Sequence, residues 1–292
     1  MAAVSDRRVI DAVPAPVFVL GGIATTQLGA SLAKQIFDDV GPAGTTFLRV
    51  AVAALVLAAI WTPKWRNHGR RDLGLALAFG ISLAFMNLSF YESIDRIPQG
   101  VAVTIEFAGP LTVAVLGSRR ALDLVWVTLA AAGIVLLANA GGAGIDATGA
   151  GLALLAGVFW GSYILLSARV GQAFPRMEGL ALAMVIAAVI LVPFGVAGGG
   201  TALLEPHVLA IGAGVAMLAS AIPYSLELEA LRRLPTGVFG VLMSMEPAVA
   251  ALSGLVVLGE VLHAREWAAI GLVVVASAGA ASFATRETVA RD

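Results

Sequence analysis

Apolar residues run through this chain in blocks of near-membrane length, cut by short stretches of charge, glycine or proline. A helix needs about twenty apolar residues to cross the hydrocarbon core of a bilayer. Ten blocks come close to that length, at residues 15–36, 43–62, 73–94, 97–117, 122–139, 149–168, 178–197, 207–231, 236–257 and 266–284. The pattern predicts an all-α membrane protein of ten transmembrane helices, with links too short for a soluble domain. The first block follows a basic start but is of spanning length, which predicts a retained helix rather than a signal peptide. Glycine and alanine recur within the blocks and let helix backbones approach closely in lipid.

The charged punctuation gives the bundle a direction, because Lys and Arg favour cytoplasmic loops. The termini and even-numbered links hold fourteen: Arg7, Arg8, Lys64, Arg66, Arg70, Arg71, Arg119, Arg120, Arg169, Arg176, Arg232, Arg233, Arg286 and Arg291. The other links hold only Arg96 and Arg265, while Lys34 and Arg49 sit within predicted helices. Both termini are therefore expected in the cytoplasm.

One pattern occurs twice. Glu92, Arg96, Pro98, Gly100, Val101 and Pro110 recur as Glu229, Arg233, Pro235, Gly237, Val238 and Pro247, each 137 residues later (229 − 92, 247 − 110). Predicted helices four to eight, five crossings, lie between the copies, so they fall on opposite membrane faces. The chain reads as two five-helix repeats of inverted topology, residues 1–143 and 144–292, an architecture that places a transport site between halves near the midplane.

Composition agrees with lipid as the solvent: 59% of the 292 residues are hydrophobic, 13% are charged, and mean hydropathy is +0.93. A soluble domain is nearer half apolar and one quarter charged. A net charge of −1 argues against a nucleic-acid partner. The chain has no cysteine, which excludes disulfides and thiolate sites. His68, His207 and His263 are isolated, and Gly141-Gly142-Ala143-Gly144 lacks the Lys-Ser/Thr of a phosphate loop. No metal or cofactor is expected.

Ionisable groups in spanning segments cost a few kcal/mol or more and normally face the bundle interior or a wet cavity. Lys34, Arg49, Glu106 and Glu246 stand out, with Glu227 near a cytoplasmic helix end. Spacing gives them neighbours: Gln27, Ser31 and Lys34 form one stripe, Asn87 and Tyr91 a second, Trp160 and Tyr163 a third, and Tyr224 with Glu227 a fourth. Bland roles stand beside these. Arg49 could bond loop carbonyls, Glu246 could satisfy backbone freed by Pro247, and Glu106 could be permanently paired. Trp61, Trp65, Trp126 and Trp267 suit the membrane interface.

At these residues the sequence resembles ten-helix EamA-type members of the drug/metabolite transporter superfamily, within it the bacterial threonine/homoserine exporters. GASLAKQIF (29–37), TFLRVAV (46–52), MNLSFY (86–91), GVAVTIEFAGPL (100–111), SRRALDLVWV (118–127), IPYSLELEALRRLPT (222–236) and GVLMSMEPAVAALSGLVVLGE (240–260) carry the resemblance. It implies proton-driven export of small neutral amino acids across the bacterial inner membrane, with the amino acid, protons and the lipid bilayer as partners. One departure is that the ninth helix closes with Gly259-Glu260, as the superfamily often does, while the fourth ends in Gly117-Ser118-Arg119-Arg120. The two gates are then not equivalent.

A zwitterionic cargo needs an acceptor for its ammonium and donors for its carboxylate. Glu106 is the leading acceptor and the leading proton carrier, while Lys34 or Arg49 would hold the carboxylate, and Gln27, Ser31, Asn87 and Tyr163 would supply hydrogen bonds. Pro98, Gly100, Pro110, Pro235, Gly237 and Pro247 are candidate hinges. Trp160, Phe90 and Phe107 keep open a cargo of aromatic amino acids, drugs or other metabolites. An intramembrane enzyme would need clustered acids with a metal, or a nucleophile with its base, and neither is legible. Single cysteines replacing Glu92 and Glu229 should react with impermeant reagents from opposite membrane faces; labelling from one face would refute the inverted repeat.

Overall fold

Each predicted apolar run is helical, and all regular structure among the described residues is helix. The computed structural model describes the backbone of residues 13–116, 121–138, 145–175, 177–234 and 236–289. The predicted boundary between halves at 143/144 lies outside them, as does Pro235. In chain order the helices are α1 (Ala15–Ala33), α2 (Phe37–Trp61), α3 (Arg70–Ile94), α4 (Gln99–Glu106), α5 (Ala108–Leu116), α6 (Ala121–Ala138), α7 (Ala147–Ala173), α8 (Glu178–Gly199), α9 (Pro206–Ala216), α10 (Ile222–Arg233), α11 (Thr236–Met243), α12 (Glu246–Ser253) and α13 (Ala264–Val289). Five helical stretches among the described residues are long and apolar enough to cross a membrane: Ala15–Trp61, Arg70–Ile94, Ala147–Ala173, Glu178–Leu204 and Val238–Leu258. The outer surface is correspondingly apolar, with Leu55, Leu116, Val158, Val189 and Val256 exposed.

Several runs are not continuous helices, and proline accounts for the breaks. Proline has no N–H to give the carbonyl four residues back. The fourth predicted run splits at Phe107 into α4 and α5, with Pro110 leaving the Glu106 carbonyl without its α-helical donor. The ninth splits at Ser244–Met245 into α11 and α12, with Pro247 doing the same to Met243. The eighth passes from α9 through a π-helical turn, Met217–Ala221, into α10 just before Pro223. A positive-φ glycine, Gly41 (φ 67°), separates the start of α2 from its apolar length.

Glycine then allows the broken segments to seat deeply. A Cβ on Gly109 of α5 would lie 1.9 Å from the Gly157 carbonyl oxygen of α7. A Cβ on Gly157 would lie 2.6 Å from the Glu106 carbonyl oxygen, the group Pro110 leaves free. On the other side of α4, a Cβ on Gly100 would come within 2.6 Å of Ala251 in α12. These approaches hold α4 and α5 between α7 and α12 and fix the backbone at Glu106.

Packing across the chain pairs α2 with α8, α3 with α7, α6 with α13 and α1 with α10. Adding 137 carries α2 onto residues 174–198, the span of α8, and α6 onto 258–275, which overlaps the first half of α13. The same shift carries α3 onto 207–231, which are α9 and α10, while subtracting it carries α7 onto 10–36, which contains α1. These pairs exchange among themselves under the sequence offset, and the equally extensive packing of α3 on α8 maps onto that of α9 on α2.

Two substitutions test the close approach. Gly109→Val places side-chain atoms inside the Gly157 backbone and should abolish a monodisperse folded protein in detergent. Gly151→Ala, at an exposed position of α7 with nothing within 4 Å, should raise thermal stability by about 0.5–1 kcal/mol. Size-exclusion profiles and melting curves compare the two directly.

Candidate functional site

Where the breaks meet, the helices line a cavity of about 150 Å³. Its polar wall comes from seven runs: Gln27 of α1, Arg49 of α2, Asn87 of α3, Glu106 of α4, Tyr163 of α7, and Glu227 and Glu246 of α10 and α12. Trp160, Phe90, Met86 and Met243 supply its apolar wall. Eight of the twelve binding or coupling residues expected from sequence therefore line one space. Drug-sized ligands occupy pockets of about 300 Å³ upward, so this cavity suits a smaller solute.

Glu106 ends α4, at the break itself. It is 8% exposed, and no described residue hydrogen-bonds its carboxylate. Glu246 begins α12 on the other side of the second break and is also 8% exposed. Its Oε1 accepts from Gln27 Nε2 at 3.0 Å, while its Oε2 is buried with no partner among the described residues. Glu227 reaches the same wall beside Pro223 and lies against Gly22 of α1. Three carboxyl groups thus face a space held open largely by prolines.

Arg49 is the counter-charge on this wall. Its Nη2 donates to the Ala219 carbonyl at 2.9 Å and its Nη1 to Tyr91 Oη at 3.3 Å, while Nε lies 3.5 Å from Ser220 Oγ. Ala219 is the residue four before Pro223, so Arg49 takes up a carbonyl that has lost its α-helical donor. The alternative read from sequence for Arg49 is bonding to loop carbonyls; the carbonyl it bonds belongs instead to a π-helical turn, and the guanidinium also stands on the cavity wall. No carboxylate lies within ion-pair distance of it among the described residues.

Of the remaining site residues, Tyr91 falls behind the wall, while Asn87, Trp160 and Tyr163 stand on it. Tyr91 is fully buried, its hydroxyl under Arg49 and its ring against Phe37 and Phe90. Asn87 Nδ2 donates to the Leu83 carbonyl at 2.8 Å. Trp160 meets Phe107 edge-on at 5.0 Å, and Tyr163 stacks on Phe79. Ser31 and Lys34 do not line the cavity: Ser31 is buried in a polar cluster, and Lys34 Nζ is bound to Glu260 Oε1 at 2.7 Å. Of the two cations offered for a cargo carboxylate, Arg49 is the one on the wall. The side chain of Tyr224 lies outside the described part.

The candidate hinges sit at the joints. Pro98 precedes α4 in an extended conformation, Gly100 packs on Ala251, Pro110 follows the first break and Pro247 the second. Gly237 is the second residue of α11. In the second copy of the repeated pattern, Arg233 Nε donates to Glu229 Oε1 at 2.7 Å and its guanidinium covers Phe18. Among the described residues no metal-binding group of histidine or acidic residues forms.

Sequence reasoning missed Gln99, Ser253 and Glu260, the partners of Ser31 and Lys34. Gln99 had one signal, a polar residue opening an apolar run after proline. Glu260 was legible only as part of a helix-closing Gly-Glu.

Residues 147–281 match the EamA-like transporter family. The threonine/homoserine exporter RhtA of Escherichia coli K12 is 45% identical over 279 residues, covering 94% of each chain. RhtA of Salmonella typhimurium LT2 is 45% identical over 276 residues, 93% of each. A solved crystal structure aligns with a TM-score of 0.58 over 93% of this chain and 98% of its own, at 21% identity, a likeness of fold alone.

Proposed function

Because the chain belongs to the EamA-like transporter family, we propose that it exports threonine and homoserine across the bacterial inner membrane in exchange for protons. The observation that carries this reading is the cavity wall on which Arg49 and Glu106 stand together without neutralising each other. A small zwitterion needs both charges. Its carboxylate goes to the guanidinium, and its ammonium to the carboxylate. The size of the cavity favours a small amino acid over a drug, and the name of the 45%-identical relatives points to the same cargo.

Antiport follows from one carboxylate serving two ligands. A proton on Glu106 removes the charge that holds the ammonium, so proton and amino acid compete for it. Release of the cargo outward lets Glu106 take a proton there, and the proton leaves on the cytoplasmic side before the next cargo binds. Glu246 and Glu227 stand on the same wall and are the second places where a proton could rest.

The motion in this reading is a rocking of two five-helix halves of opposite orientation, ten crossings in all, both termini in the cytoplasm. Support comes from the 137-residue repeat, the exchange of the main packing pairs under that shift, and the basic bias of alternate links. The family match spans most of the second half by itself. A family of transporters leaves the intramembrane-enzyme reading without support.

Proteoliposomes loaded with labelled threonine should empty faster when the medium on the periplasmic side is acidified. Glu106→Gln should fold and lose that response. Arg49→Met should raise the half-saturating threonine concentration about ten-fold, the loss of a charged hydrogen bond of roughly 1.5 kcal/mol. Homoserine should compete with threonine, and aromatic amino acids should not. Full pH-driven efflux by Glu106→Gln, or stronger competition by tryptophan than by homoserine, would reject this assignment.

A further inference from the structure

Beyond the cavity, a continuous polar chain runs to one end of the molecule. Gln27 Nε2 donates to Glu246 Oε1, so its Oε1 is free to accept from Gln99 Nε2, which it does at 2.9 Å. The second N–H of Gln99 reaches the Gln27 carbonyl at 3.0 Å. Gln99 Oε1 accepts from the Ser31 hydroxyl at 2.9 Å. The Gln27 carbonyl, 3.1 Å from the same hydroxyl, is its other acceptor; with the one Ser31 proton given to these two, Ser253 Oγ, 2.8 Å away, is the donor to Ser31. Each of these groups is buried, Gln99 at 0% exposure. Each amide and hydroxyl in the cluster has a partner, and losing one of these buried bonds is costly.

The chain ends on an ion pair that ties three segments together. Glu260 Oε1 accepts from Lys34 Nζ at 2.7 Å, at the end of α1. Glu260 Oε2 accepts from the Gln99 backbone N–H at 2.9 Å, the first residue of α4. The carboxylate therefore also caps α4, whose first N–H groups have no partner within the helix. Gly259 makes this possible: it adopts φ +68°, and the Glu260 N–H closes onto the Gly254 carbonyl at 3.1 Å. Glu260 is thereby folded back over Gly254, where a Cβ would lie 2.3 Å from Oε2. The first half of the chain has no Gly-Glu at the corresponding joint, which reads Gly117-Ser118-Arg119-Arg120.

We propose that Lys34, Glu260 and Gln99 form the gate at the periplasmic end of the cavity, closed in this structure, and that Gln27 and Gln99 link it to Glu246. The inference rests on the transporter reading and on the membrane orientation given above. The ion pair joins the first half (Lys34, α4) to the second (Glu260), so opening that end requires breaking it. The side chains of Lys34 and Glu260 are 20% and 15% exposed, so water can reach the pair and separate it at modest cost. Any change at Glu246 Oε1 that releases Gln27 leaves Gln99 short of an acceptor and loosens its hold on both carboxylate and serine. An event at the cargo site is felt at the gate through two amides.

The chain contains no cysteine, so one introduced thiol reports cleanly. Ala30 lines the cavity and lies on the cavity side of the gate. Ala30→Cys is labelled with a membrane-impermeant maleimide from outside in intact cells and from inside in everted vesicles. With the gate intact, outside labelling should be slow. Lys34→Met and Glu260→Gln should each speed it roughly five-fold, the population shift expected for losing a partly exposed ion pair. Gln99→Leu should do the same although it keeps Lys34 and Glu260. Inside labelling should not rise in any of them, whereas a merely loosened fold would label faster from both sides. Unchanged outside labelling in Lys34→Met and Glu260→Gln overturns the gate; unchanged labelling in Gln99→Leu alone overturns the link to Glu246. A parent protein that fails to export threonine but shows the one-sided acceleration would reject the cargo and keep the gate.

Discussion

Backbone carbonyls that proline leaves without a donor determine where this protein can be polar. In lipid each such group must find another partner or face water. Pro110, Pro223 and Pro247 act on the carbonyls of Glu106, Ala219 and Met243, and all three of those residues line the cavity. The Glu106 carbonyl is met by the bare backbone of Gly157, and the Ala219 carbonyl by the guanidinium of Arg49. The polar site is therefore built where helices are interrupted. Continuous helices would have closed the same space with satisfied backbone and apolar side chains.

Charge follows the same logic. Glu106 stands at the end of one half-helix and Glu246 at the start of another, so the breaks bring two carboxyls to one wall. Arg49 is recruited by a freed carbonyl and arrives as their counter-charge. One amide, Gln27, belongs to both the cavity wall and the cluster behind it. In the mechanism proposed above, the cargo site and the gate are two ends of one hydrogen-bonded system.

Much of this was legible in the chain. Runs of spanning length marked where the described residues are helical, though not where the fourth, eighth and ninth runs break, because lipid demands length and apolarity and punctuation marks the ends. Isolated charges within those runs, Arg49, Glu106 and Glu246, pointed to the cavity because nothing in their own segments neutralises them. What stayed hidden depends on contacts between distant segments. Gln99 read only as a polar residue at the start of the fourth run, after Pro98, yet it is the buried hub between α1, α4 and Glu260. Lys34 shared a stripe with Gln27 and Ser31, but only the fold-back at Gly259 brings Glu260 to it. Met86, Met243 and Thr26 line the cavity without any chemical signal in the sequence. The helix breaks were hinted at by proline, but the depth of packing at Gly109 and Gly157 needed a partner helix to become visible.

The central claim is that cargo ammonium and proton share the Glu106 carboxylate. Calorimetric titration of threonine into the purified protein, repeated in buffers of different ionisation enthalpy, measures protons released on binding. The account predicts release of up to one proton per threonine bound at a pH where the empty site holds it, and none in Glu106→Gln. Threonine binding without proton release across the acidic range, or equal release by both proteins, would contradict it.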